Sequence, residues 1–159
     1  MRDLHPNERA MGVAIETAGR AAPSGNYRIG AVVVDSRMEI TGSAFTELHS
    51  QHDPTAHAEI LALRRACASA NSRYLPGCFL YTTLEPCPMC TSAAIWAKVE
   101  GIVYGASLED ADDFARKSGP GFSWRQINIK AAYVVARGTP LLRLHEGFMR
   151  DECIKLASP

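Results

Sequence analysis

The chain carries His57-Ala58-Glu59 and, further on, Pro86-Cys87-Pro88-Met89-Cys90. One imidazole and two thiols supply three ligands, so a zinc ion on His57, Cys87 and Cys90 would keep its fourth tetrahedral position for water. A structural zinc site would fill that position with another side chain. The Glu59 carboxylate is then left to move protons rather than to bind metal. These residue types predict one catalytic zinc ion per chain, with a bound water whose pKa lies far below that of bulk water, at about 7 in sites of this kind.

Such a site needs elements that bring the two motifs together. Ala10, Met11, Ala14, Ile15 and Ala18 recur at helical spacing and predict a helix from about residue 7 to residue 22, ended by Pro23-Ser24-Gly25-Asn26. Residues 29–34 and 39–45 read as a hairpin turning at Asp35-Ser36-Arg37. A helix is expected from Pro54 to about Ala70 with Asp53 as its N-cap. Strand 78–83 then leads into helix 88–98, with Cys87 at the cap. A short strand at 102–104, a helix at 108–117, a strand at 132–136 and a helix at 145–156 complete the order. Strands alternating with helices predict an α/β fold in three layers, α/β/α, with one sheet covered on both faces.

Both motifs thereby fall at helix N-termini, where unpaired amides and the positive end of the helix dipole favour thiolates. Cys87 and Cys90 share a face of the first turn. His57 and Glu59 are about 200° apart around an ideal helix, so both can serve the metal only if the helix end points at it.

At 159 residues and 47% apolar content, residues 1–159 should form one domain. The chain shows neither a run of apolar residues long enough for a membrane span nor an apolar signal segment, which predicts a cytoplasmic protein. Of five cysteines, Cys67, Cys78 and Cys153 are left as small buried hydrophobes in a reducing compartment. Seventeen basic and seventeen acidic residues cancel, which disfavours nucleic acid as the partner. The acidic run 109–113 reads as a solvated helix face. His5, His49, His52 and His145 are expected as surface or capping residues, with His52 the nearest competitor to His57 as ligand. Trp96, Phe114, Phe122, Trp124 and Phe148 are expected in the core or an interface, some walling a substrate slot.

The stretches 52–64 (HDPTAHAEILALR) and 80–90 (LYTTLEPCPMC) resemble the cytidine and deoxycytidylate deaminase superfamily, with its H-x-E and P-C-x-x-C pattern. The nearest branches are bacterial guanine deaminase, tRNA wobble-adenosine deaminase and fungal-type cytosine deaminase. The resemblance covers about residues 10–106, and Glu146-Gly147 with Asp151-Glu152-Cys153 is similar to the end of the tRNA enzyme. It implies a central five-stranded mixed sheet, zinc on His57, Cys87 and Cys90, Glu59 as proton shuttle, and usually a homodimer or larger assembly whose subunit boundary shapes the sites. It also implies hydrolysis of an amino-substituted nitrogen heterocycle to a carbonyl and ammonia. Ala58 would present its backbone N–H to that substrate, and the Leu84 carbonyl would receive the departing amine.

Three departures bear on the substrate. These branches place an asparagine about eleven residues before the zinc histidine, where this chain has Thr46, and a hydroxyl cannot reproduce a two-pronged amide contact. Arg28 replaces a proline, either as a surface residue or as a contact to an acidic substrate group. The Gly-Phe-Asp-Asp stretch of guanine deaminases is missing. Residues 119–125, rich in glycine and aromatics, are either a specificity lid or a plain connection. The C-terminal helix sets Arg150 and Lys155 against Glu146, Asp151 and Glu152, which gives RNA no basic footprint. The leading expectation is therefore a deaminase of a free aminopurine, aminopyrimidine or related heterocycle, as base or nucleoside, with a place in purine metabolism. Deamination of tRNA wobble adenosine is the alternative. A zinc-stabilised interaction domain without catalysis is a further one, against which Glu59 argues.

Overall fold

The computed structural model describes residues 3–21, 27–122 and 124–157. In chain order the elements are α1 (Glu8–Gly19), β1 (Gly30–Val34), β2 (Ile40–Phe45), α2 (Ala58–Ala70), β3 (Phe79–Leu84), α3 (Pro88–Trp96), β4 (Gly101–Ala106), α4 (Leu108–Lys117), α5 (Ala131–Val135), β5 (Arg143–His145) and α6 (Arg150–Ile154). The strands form one five-stranded sheet in the order β2-β1-β3-β4-β5. β1 runs antiparallel to β2 and β3, while β3, β4 and β5 are parallel. This is the expected mixed α/β sheet.

β1, β3 and β4 are buried at every residue, as strands covered on both faces must be. Side-chain alternation divides them between two cores. Ala31, Val33, Leu80 and Ile102 pack with Leu61, Ala62, Ala66 and Ala94 of α2 and α3. Val32, Val34, Phe79, Tyr81 and Val103 pack with Ala10, Met11 and Ala14 of α1 and with Cys153 of α6. Close approach of helix to sheet requires glycine twice: a Cβ on Gly30 would lie 2.2 Å from the Ala14 carbonyl oxygen, and one on Gly42 2.2 Å from that of Ala62.

The structure corrects four expected elements. α1 stops at Gly19, and residues 23–26, expected to end it, lie outside the described residues. α2 begins at Ala58, four residues after the expected start at Pro54, with His57 rather than Asp53 as N-cap. The Asp53 carboxylate instead accepts from the Thr55 amide (2.8 Å) and hydroxyl (2.7 Å), closing a tight turn where a first helical turn was expected. The segment 132–136, expected as a strand from its Tyr-Val-Val core, is helix α5, and the fifth strand is Arg143–His145. Alanines flank that core, Val135 alone turns inward against α3, and the Ala131 amide is taken by a buried carboxylate, so tertiary contacts override β propensity. The C-terminal helix starts at Arg150, because His145 belongs to β5 and the left-handed Gly147 and Met149 break the chain between them.

Cys78 and Cys153 are buried, Cys67 is half-buried, and all five cysteines are free. Phe114, Trp124 and Phe148 join the α1-side core, whereas Trp96 is 80% exposed. Among the described residues no helix is long and apolar enough to cross a membrane.

Candidate active site

His57 and Cys87 are the N-caps of α2 and α3, and neither side chain caps its own helix. Both are free to face outward, and Cys90 joins them from the first turn of α3. His57 Nδ1 lies 3.7 Å from Cys87 Sγ and 3.6 Å from Cys90 Sγ, and the three donor atoms fall within 4.8 Å of one another. Tetrahedral zinc, with Zn–S of about 2.3 Å and Zn–N of about 2.0 Å, requires an N···S separation of about 3.6 Å. The donors therefore fit the ion. They are the only such group among the described residues; His52 is exposed, in a left-handed turn, and not part of it.

The electrostatics of the donors agree with metal binding. The hydrogen bond from the Cys90 thiol holds the Cys87 thiol well below its ordinary range, and the same contact pushes Cys90 up, so one proton is shared between them. The contact with Cys87 raises His57. A bound cation would remove the need for that proton.

Glu59 is 3% exposed and stands beside the donors. Its Oε2 is 3.6 Å from Cys90 Sγ, and its Oε1 accepts a 2.8 Å hydrogen bond from Thr82 Oγ1. Burial raises its carboxyl above the ordinary range. Two residues apart on α2, Glu59 and His57 meet the same place because the helix end points there.

The site depends on two groups that motif reading passes over. Thr82 is fully buried on β3, and its single hydroxyl proton has two acceptors, Glu59 Oε1 and the Leu84 carbonyl at 3.1 Å. Glu85, also 3% exposed, accepts from the Leu108 amide at 3.0 Å and the Ala131 amide at 2.9 Å. The signal for both was present in the sequence: polar residues at the end of an otherwise apolar buried strand must find partners.

The remaining site residues lie around this centre. Ala58 is the buried first residue of α2, so its N–H has no partner within the helix. Leu84 ends β3 with its carbonyl turned to Thr82. The Thr46 amide bonds to the Ile29 carbonyl and the next amide, Glu47, to Ala56, which places Thr46 beside the turn leading into His57. Its Oγ1 is buried with no partner among the described residues. Arg28 is half-buried and makes no ion pair among the described residues.

The acidic run is only partly a solvated face. Asp110 completes the Ser107 capping box of α4 and takes a bidentate contact from Arg150 (2.9 and 2.5 Å), while Glu109 pairs with Lys130 (2.5 Å). In the segment 119–125, expected as either a lid or a plain connection, Phe122 packs edge-on against Phe114 (5.0 Å), and Phe114 and Trp124 lie 5.7 and 6.0 Å from the Tyr27 ring. Residue 123 is outside the described residues.

The family model for the cytidine and deoxycytidylate deaminase zinc-binding region matches residues 4–106. The chain belongs to this family of zinc-binding deaminases, and zinc is the ion that His57, Cys87 and Cys90 are arranged to hold. A tRNA-specific adenosine deaminase from Buchnera aphidicola subsp. Schizaphis graminum is 34% identical over 148 residues, covering 93% of this chain and 89% of its own length. A guanine deaminase from Bacillus subtilis is 38% identical over 108 residues, 65% of this chain and 64% of its own. A solved structure from studies of A-to-I editing by tRNA:A34 deaminases at the wobble position superposes with a TM-score of 0.74 at 25% identity, covering 94% of this chain and 99% of its own. Against other relatives the match spans less of their length, 62% of a tRNA-specific adenosine deaminase from Aquifex aeolicus and 19% of a tRNA(Ile)-lysidine synthase from Deinococcus deserti.

Proposed function

We propose that residues 1–159 act as one hydrolytic deaminase domain, cytoplasmic and homodimeric, that converts adenosine to inosine in the anticodon loop of a tRNA. The observation that carries the chemistry is an open three-donor zinc site with the buried Glu59 carboxylate beside it. Bound zinc would supply an activated water and a Lewis acid at its free position. Glu59 would be the proton carrier of this hydrolysis, accepting a proton from the attacking water and delivering protons to the ring nitrogen and the leaving amine, so that C–NH₂ and water become C=O and ammonia. Thr82 holds Oε1, which leaves Oε2 toward the reacting atoms. Ala58 N–H and the Leu84 carbonyl bracket the substrate edge.

The tRNA reading ranks first because the Buchnera relative matches almost end to end, which reverses the order reached from the residues alone. A free aminopurine such as guanine is the second reading. It is favoured by the balance of acidic and basic residues, which gives RNA no overall positive field; Thr46, whose hydroxyl has no partner among the described residues, departs from both branches alike.

Zinc-loaded protein is incubated with an adenosine-containing anticodon stem-loop and, separately, with guanine, adenine, cytosine and their nucleosides. Inosine in the stem-loop, with binding that weakens as salt rises, supports the first reading. Ammonia from a free heterocycle alone moves the conclusion to the second. Neither product, from protein holding one zinc per chain, leaves only a zinc-stabilised interaction domain. Glu59→Ala is the control: it keeps zinc near one equivalent and stops product formation.

A further inference from the structure

We infer that Glu85 is a positioning residue that fastens both feet of the segment 107–131 to the zinc-binding turn, and so sets the substrate entrance. The inference rests on the proposed deaminase reading only for its effect on substrate; the fastening itself stands on geometry.

α4 packs on the α1 side of the sheet, where Ala111 and Phe114 join the core with Trp124. α5 packs on the other side, where Val135 joins the core with residues of α2 and α3. The chain between Trp124 and Ala131 must therefore cross the edge of the sheet. It does so at the carboxyl ends of β3 and β4, because Leu108 follows β4 closely and the Ala131 amide reaches Glu85, the first residue after β3. Those ends are where a site forms in a parallel sheet, since the loops there diverge to the two faces. The crossing, residues 125–130, exposes Ile127 and Ile129 to solvent.

Glu85 closes the base of this crossing. One carboxyl oxygen takes the first amide of α4 and the other the first amide of α5. α5 has no cap of its own, for its N-cap residue Lys130 makes no side-chain cap bond. The Glu85 backbone is fixed in turn by the Ala106 carbonyl at 2.7 Å. Leu84 precedes Glu85 and Pro86-Cys87 follows, so one side chain links the crossing to a metal donor and to the carbonyl proposed to receive the amine. Only a group with two acceptors and this reach can hold both feet. Gln offers one acceptor and sets an NH₂ against the other amide. Asp keeps both acceptors but is one methylene short.

The test uses full-length, zinc-loaded protein carrying Glu85→Gln, with Glu85→Asp as the second variant should the first not fold. Amide hydrogen exchange is followed peptide by peptide, alongside zinc content and the KM and kcat for guanine and for the adenosine stem-loop. Expected is at least tenfold faster exchange at the start of α4 or α5 and through 125–130, with zinc still at one per chain. KM should rise five- to tenfold on whichever substrate turns over, with kcat falling by less than threefold. Unchanged protection at both feet overturns the inference, as does faster exchange there with unchanged KM. If wild-type protein turns over neither substrate, the deaminase reading fails separately, and the exchange result still decides the fastening.

Discussion

The two ends of the parallel strands are built on different principles. At the carboxyl end, Glu59, Thr82 and Glu85 are buried polar residues with specific partners, and the metal donors sit at the N-terminal ends of two helices, His57 and Cys87 as caps and Cys90 in the first turn. At the amino end, the His5 ring stacks on Phe79 (3.6 Å, 12°), its Nδ1 meets Tyr81 Oη at 2.7 Å, and Arg143 bridges Asp3 and Glu100 over the same Phe79 ring. Those contacts are half-exposed and share partners. A buried hydrogen bond with one donor and one acceptor cannot be replaced from solvent, whereas an exposed ion pair contributes only about 0–1 kcal/mol. Substitutions at the carboxyl end should therefore strike metal and chemistry, and those at the amino end should shift stability slightly.

Removing a metal donor is the most severe way to break this contrast. Cys87→Ala should lose zinc and, because coordination energy is also folding energy, lower the melting temperature by about 10 °C, a loss on the order of 3–5 kcal/mol for a domain of this size. A chelator should lower the wild-type melting temperature by a similar amount and leave the variant unmoved. A variant that melts with the wild type, or that still responds to chelator, would place the stabilising metal elsewhere.

A smaller change tests whether the carboxyl end is as specific as its partners suggest. Thr82→Val keeps shape and burial but removes the donor that holds Glu59 Oε1. Ammonia release should fall about tenfold, the rate equivalent of roughly 1.4 kcal/mol. Zinc content should stay constant and Thr82→Ser should restore the rate. Full activity in the valine variant would show that packing alone orients Glu59.

The same contrast explains what could be read without a structure. The metal site was legible although His57 lies 30 and 33 residues from the two cysteines, because each of the two motifs holds ligand residue types at a spacing that metal chemistry demands; the hairpin, β3 and α3 follow from pattern and capping. Thr82 and Glu85 showed only that a polar residue in or beside an apolar strand needs partners; no spacing pattern names those partners, which are Glu59 of α2 for Thr82 and the first amides of α4 and α5 for Glu85. α5 was misread for the same reason. Tyr133-Val134-Val135 carries a strand signal, and what makes it helical is its dock on α3 and the carboxylate waiting at Ala131. The start of α2 failed through an equally plausible local competitor, the Asp53 turn.

The smallest expected effect isolates the amino end by its pH dependence. Burial, with the nearby Arg143 charge, lowers the pKa of both His5 and His145, opposed by the Asp3 carboxylate at both and by Glu100 at His5. A histidine lowered in the folded state binds its proton more readily when unfolded. The stability it contributes is complete above the unfolded value of 6.5 and is lost as pH falls through that value toward the folded one. Zinc release in acid would mask this in the wild type, because the same fall in pH protonates metal donors. In the zinc-free Cys87→Ala background the mask is gone, and the melting temperature should still fall by about 1–3 °C between pH 7.5 and 5. Adding His5→Phe, which keeps a ring on Phe79 but cannot titrate, should flatten that slope. An unchanged slope would assign the acid sensitivity to His145, whose buried Nε2 has no partner among the described residues, and would make the stack at His5 a packing contact only.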